Sequence, residues 1–94
     1  MKAQLLLRER YALGADRFAE IVVWQLPRSL PGSAHRFKYR LAFVVDLECV
    51  LRFDNEAGQG DHKHVGARQV AYAFTSVDQL MTDFWSEIET WSER

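Results

Sequence analysis

Ninety-four residues, 48% hydrophobic and 13% aromatic, suffice for one contiguous core and argue against wholesale disorder, though so short a chain buries only about two-thirds of its unfolded surface. A net charge of −1 from 12 basic and 13 acidic residues argues against a general DNA-coating protein but leaves room for a local cationic patch. The one cysteine, Cys49, excludes an internal disulfide and fits a reducing cytoplasm.

We read one domain over 1–94, without a repeat, a low-complexity tract or a linker. The opening apolar stretch is too short for a signal peptide and no run reaches membrane-spanning length, so no membrane association is expected. Three Trp, three Tyr and six Phe are many large side chains to hide, which a homodimer or a bound partner would help to do. Nine of the basic residues are Arg and three are Lys, and the guanidinium fork suits phosphate and carboxylate.

In chain order, 3–12 and 17–26 read as strands joined by a turn at 13–16. Both prolines and Gly32 fall in 27–34, which is therefore a loop. The segment 35–46 alternates cleanly: His35, Phe37, Tyr39, Leu41, Phe43 and Val45 share one face, and Arg36, Lys38, Arg40, Ala42, Val44 and Asp46 the other. A tight turn near 46–48, without Asn-Gly chemistry, leads to a fourth strand at 49–54 with Cys49, Leu51 and Phe53 towards the core. From Asp54 to Gly66 the chain is polar and holds three of its five glycines, which predicts an irregular loop. A fifth strand follows at 68–74. Ser76 then reads as a helix N-cap with Gln79 in capping-box position. Val77, Leu80, Met81, Phe84, Ile88 and Trp91 form an apolar stripe at spacings of three and four. The predicted fold is α+β: a five-stranded, mostly antiparallel meander with one C-terminal amphipathic helix on one face.

Two features carry chemistry. Arg36, Lys38 and Arg40 point the same way over roughly 13 Å of strand, with Arg52 beside them and Arg8 and Arg10 as further contributors. This makes a rigid cationic platform for a nucleic-acid backbone. The competing reading is an ordinary solvated sheet face, with Arg40 opposite Asp54 and Lys38 opposite Glu56 as cross-strand pairs. Leu6, Ala19, Ile21 and Val23 are expected on this same outward face as an apolar docking stripe. The first hairpin is expected to set Glu9 opposite Glu20, a like-charge pair.

The second feature is Asp61-His62-Lys63-His64, which in extended form puts both imidazoles on one side and Lys63 on the other. Imidazole titrates near neutrality, so the pair can share the acid and base roles of RNA cleavage. In that reaction the ribose 2′-hydroxyl attacks the adjacent phosphate. Asp61 would fix a tautomer, and Lys63 or Arg52 would hold the phosphoryl oxygens. His62, His64 and Asp54 or Asp61 could alternatively ligate zinc or manganese, although a lone His-x-His is a weak signature. A third reading leaves the histidines idle in a polar connection. Phosphate-binding and dinucleotide-binding glycine motifs are missing from the sequence.

The run Leu51-Arg52-Phe53-Asp54-Asn55-Glu56-Ala57-Gly58-Gln59-Gly60-Asp61-His62-Lys63-His64 resembles the signature of the TumE family of toxins. In that family an aromatic-Asp-Asn segment leads into a Gly-Lys-Gly-Asp-His-Arg-His-like motif, and here Gln59 stands where a lysine is often found. The resemblance extends to the opening Leu-Leu-Leu-Arg-Glu-Arg-Tyr, to Tyr39-Arg40-Leu41-Ala42, and to Phe74-Thr75-Ser76 before the helix. It implies the toxin of a bacterial toxin–antitoxin pair, directed at RNA and neutralised by a cognate antitoxin of helix-turn-helix type. By position it marks Asp54, Asn55, Asp61, His62 and His64, and less specifically Arg52.

Together these features are read as a cytoplasmic, metal-independent ribonuclease needing no cofactor. His62 and His64 are its acid–base pair, Asp61 the orienter, and Arg40, Arg52 and Lys63 the phosphate clamp. Arg36, Lys38, Arg40 and Arg52 are the RNA-binding residues, and Asp54 and Asn55 support them. The alternatives are a non-enzymatic module that inhibits or regulates a partner through the basic and apolar face, and a metal-dependent nuclease.

Overall fold

A computed structural model describes residues 2–91. It contains six strands rather than the expected five: β1 (Gln4–Gly14), β2 (Arg17–Gln25), β3 (Phe37–Val45), β4 (Glu48–Glu56), β5 (Gly60–Val65) and β6 (Arg68–Ala71), followed by helix α1 (Val77–Trp91). The strands form one sheet in chain order, every neighbouring pair antiparallel, so the α+β meander with a C-terminal helix is as expected. No helix among the described residues is long and apolar enough to cross a membrane.

The extra strand is the segment expected to be a loop. Instead β4 runs on to Glu56, turns through three residues, and returns as β5 with Asp54 opposite His62 and Arg52 opposite His64. Gly58 and Gly60 take positive φ of 81° and 73° there, a conformation costly for other residues. The glycines that suggested irregularity thus make a hairpin turn. A Cβ on Gly32 would lie 3.4 Å from the Gly58 Cα, and Pro31 O accepts the Gly58 N–H at 2.6 Å. The 27–34 loop therefore docks on this turn. The last strand is correspondingly shorter than expected, ending at Ala71.

One face of the sheet is covered. Ala19, Ile21, Val23, Tyr39, Leu41, Phe43, Leu51 and Phe53 meet Leu80, Phe84 and Ile88 of α1 in a single core, where each buried large side chain contributes about 1.5–3 kcal/mol. Ser76 caps the helix as expected: its Oγ accepts the Gln79 N–H at 3.0 Å. Gln79 directs its side chain to Asp83 (2.8 Å) instead of closing the box.

Three further expectations are corrected. Ala19, Ile21 and Val23 line the core and form no outward stripe, because Ile21 pairs with Leu41 and shares its face. Leu6 is exposed, at a register irregularity between Leu5 and Leu7. In β2 both alternating sets are apolar, so the pattern alone could not choose between them. Cys49 is exposed rather than buried, because a register shift at Phe43/Val44 leaves Val50 as an extra residue and turns Cys49 outward. Finally, Arg10 and not Glu9 stands opposite Glu20, which replaces the like-charge pair by an attractive one.

Candidate functional site

Cross-strand partners in a sheet share a face, so the registers define what the uncovered face presents. One row across it reads Arg8, Val22, Arg40, Asp54, His62, Ala71, and the next Arg10, Glu20, Ala42, Arg52, His64, Gln69. His62 and His64 therefore stand side by side on the open face, among the arginines of β3 and β4.

Their ring centroids are 6.4 Å apart with planes inclined at 48°. Arg52 Nη2 lies 3.1 Å from His64 Nε2, which in the neutral ring makes that nitrogen the acceptor and leaves the proton on Nδ1. Asp54 Oδ1 lies 3.6 Å from the same nitrogen and Oδ2 3.0 Å from Arg52 Nε. The second approach is a charge contact rather than an aligned hydrogen bond, since Arg52 Nε has no hydrogen-bond partner. The buried Asp54 carboxylate (9% exposed) is thus flanked by Arg52, His64 and Arg40, as a buried charge requires. The nitrogens of His62 make no hydrogen bond or ion pair among the described residues. Arg40 is likewise exposed and unbonded.

Two expected members of the group lie elsewhere. Asp61 and Lys63 alternate with the histidines and so point to the helix side. Asp61 Oδ2 accepts the Tyr39 hydroxyl at 2.6 Å and lies 2.8 Å from His35 Nε2. It therefore orients His35 and Tyr39 rather than His62 or His64, and the carboxylate that His64 does meet is Asp54. Lys63 Nζ bonds Glu87 Oε1 of α1 at 3.0 Å and ties β5 to the helix, away from any clamp on the open face. The alternation legible in the sequence already separates Asp61 and Lys63 from the histidines; only the assumption of an irregular loop brought all four together. Among the described residues no three His, Cys, Asp or Glu side chains are grouped so as to hold a metal ion.

The stripe on β3 is partly engaged. Arg36 reaches Pro27 O at 3.5 Å. Lys38 donates to the backbone carbonyl of Asn55 rather than pairing with Glu56. Arg40 does stand opposite Asp54. Beyond that pair the Asn55 side chain substitutes for the backbone ladder: Oδ1 accepts the Tyr39 N–H (3.0 Å) and Nδ2 donates to Phe37 O (2.7 Å). Asn55 is 1% exposed, so losing its amide would strand the buried Tyr39 N–H at about 1–3 kcal/mol and release the half-buried Phe37 carbonyl as well. Its support is structural.

His35 received no functional reading from the sequence. Its Nδ1 accepts the Phe37 N–H at 3.1 Å, which puts the proton on Nε2 facing Asp61. Its ring stacks on Phe74 at 3.9 Å. With both nitrogens committed, His35 is a lock between the 27–36 connection, β5 and the strand-to-helix link. Burial first, and the Asp61 hydrogen bond second, push the Tyr39 hydroxyl far above the usual phenol range.

A family model described as Toxin TumE matches residues 2–92. No curated protein and no solved structure gives a match.

Proposed function

We propose that this chain, which belongs to the TumE toxin family and is accordingly the toxin component of a toxin–antitoxin system, cuts RNA with His62 and His64 as its acid–base pair. The reading rests on one observation above all: two adjacent imidazoles on an uncovered face, one bonded to Arg52 and both beside the Arg40–Asp54 pair. One imidazole takes the proton of a ribose 2′-hydroxyl as that oxygen attacks phosphorus. The other gives a proton to the departing 5′-oxygen, leaving a 2′,3′-cyclic phosphate and a 5′-hydroxyl. Arg52 and Arg40 face the non-bridging oxygens where charge accumulates. Asp54 holds Arg52 and His64 in place; Asp61 and Lys63 act on the other side of the sheet by securing β5. The family implies a cognate antitoxin. A helix-turn-helix fold for that antitoxin and a cytoplasmic site of action complete the reading.

The test is expression without antitoxin of the wild type and of the His62→Ala/His64→Ala double variant, paired with RNA cleavage by the purified proteins. Loss of growth arrest is expected, with cleavage reduced about 10²–10⁴-fold, the usual weight of acid–base catalysis. Equal arrest and equal cleavage would remove the catalytic role. The open cationic row of Arg36, Lys38 and Arg40 favours one rival, a toxin that only binds. In that case charge reversal along the row abolishes arrest while the histidine changes are tolerated.

A further inference from the structure

Trp24 is set apart from the other two tryptophans. Trp85 and Trp91 pack on the core and make edge contacts with Tyr11, Phe84 and Phe43. Trp24 lies on the opposite face, opposite Lys38, and its ring contacts no other aromatic ring among the described residues. It lines a shallow hollow with Val22, Lys38 and Arg40. A half-buried indole in a cationic surround offers an apolar π-face to whatever approaches the open side of the sheet.

We propose that Trp24 is a stacking subsite for a nucleobase of single-stranded RNA, a few nucleotides along the strand from the phosphate handled by His62 and His64. This deepens the ribonuclease reading and rests on it. Three strand spacings of about 4.8 Å separate β2 from β5, and Trp24 sits two residues along the strand from the row of His62, so ring and His62 imidazole stand roughly 16 Å apart. At about 3.4 Å per stacked nucleotide that is at most about five nucleotides, fewer if the strand is unstacked. Arg40 lies between them, opposite Val22 on one side and Asp54 on the other, exposed and unbonded. A strand running from the scissile phosphate to Trp24 therefore passes over Arg40, the same guanidinium that meets the non-bridging oxygens. A base in a duplex keeps both faces stacked on its neighbours, whereas a splayed base can lay one on an indole, whatever its identity. The subsite therefore selects strand state rather than sequence.

The probe is a short fluorescent oligoribonucleotide carrying 2′-O-methyl groups, which cannot be cut because its nucleophile is blocked. It is titrated by anisotropy alone and annealed to its complement. The wild type is expected to bind the single strand more tightly. Trp24→Ala weakens that binding about five- to hundredfold, the range for removing a stacked aromatic, while Trp24→Phe, which keeps a ring, lies near the wild type. Circular dichroism checks that both variants fold. Wild-type affinity in Trp24→Ala, equal loss in Trp24→Ala and Trp24→Phe, or equal binding of duplex and single strand overturns the subsite alone. Cleavage at the wild-type rate by His62→Ala/His64→Ala, with the Trp24→Ala loss intact, overturns the chemistry and upholds the subsite. A wild type that binds neither probe overturns both.

Discussion

Asp61 and His62 are adjacent in the chain and act on opposite faces of the sheet. The Asp61 carboxylate holds the Tyr39 hydroxyl at 2.6 Å, whereas His62 looks outward with both nitrogens uncommitted. The consequence for Tyr39 is measurable. Burial chiefly, then the Asp61 bond, raises its pKa, so the folded protein keeps the phenolic proton where the unfolded chain releases it, above about pH 10. The stability this gives is fully present below that pH and erodes as pH climbs towards the folded value, by up to about 1.4 kcal/mol per pH unit for one tyrosine. Tyr72, raised by burial and by its 2.5 Å bond to Asp83, adds in the same direction. Urea unfolding between about pH 9 and pH 11 should therefore show a shallower alkaline decline for Tyr39→Phe than for the wild type. Parallel slopes would mean that the phenol is not held protonated. Period-two alternation made the facing of Asp61 and His62 legible; the partners of Asp61 were not, because Tyr39 and His35 lie more than twenty residues upstream.

The β4–β5 hairpin is the element where local composition misleads most. Gly58, Gly60, Asp61 and Gly66 look like loop residues in a window, but three of them carry the positive φ angles that two tight turns need, and pairing with β4 orders the rest. The β3–β4 turn shows the converse. It lacks glycine, yet Asp46 and Leu47 both take positive φ, 50° and 68°, as a two-residue hairpin turn of type I′ demands. Leu47 is 97% exposed, so no packing offsets the strain, which for a residue other than glycine is about 1–2 kcal/mol. Asp46→Asn/Leu47→Gly supplies the preferred Asn-Gly pair and should stabilise the protein by up to about 1 kcal/mol, the strain relief being partly cancelled by the greater freedom of unfolded glycine. Thermal unfolding measures this, and a lowered midpoint would refute it.

For the whole molecule, the distribution of charge matters more than its sum. A net charge of −1 coexists with an open face on which Arg8, Arg10, Lys38, Arg40 and Arg52 outnumber Glu20 and Asp54, while the acidic Asp83 and Glu87 are engaged on the helix side by Tyr72 and Lys63. Under the ribonuclease reading, affinity for single-stranded RNA should fall linearly on a log–log plot against salt, and Arg40→Ala should reduce the slope by about 0.7, the contribution of one phosphate contact. An unaltered slope would place the RNA away from Arg40. By itself the sequence determined the meander, the Ser76 cap, the apolar stripe of α1 and the shared facing of the two histidines, because each follows from backbone geometry over a few residues. Only the tertiary structure decided which face the helix covers, that β5 exists, and that Arg52 and Asp54 rather than Asp61 and Lys63 attend His64. Those outcomes depend on register between strands and on which apolar row is removed from water, and both are settled by contacts remote in the chain.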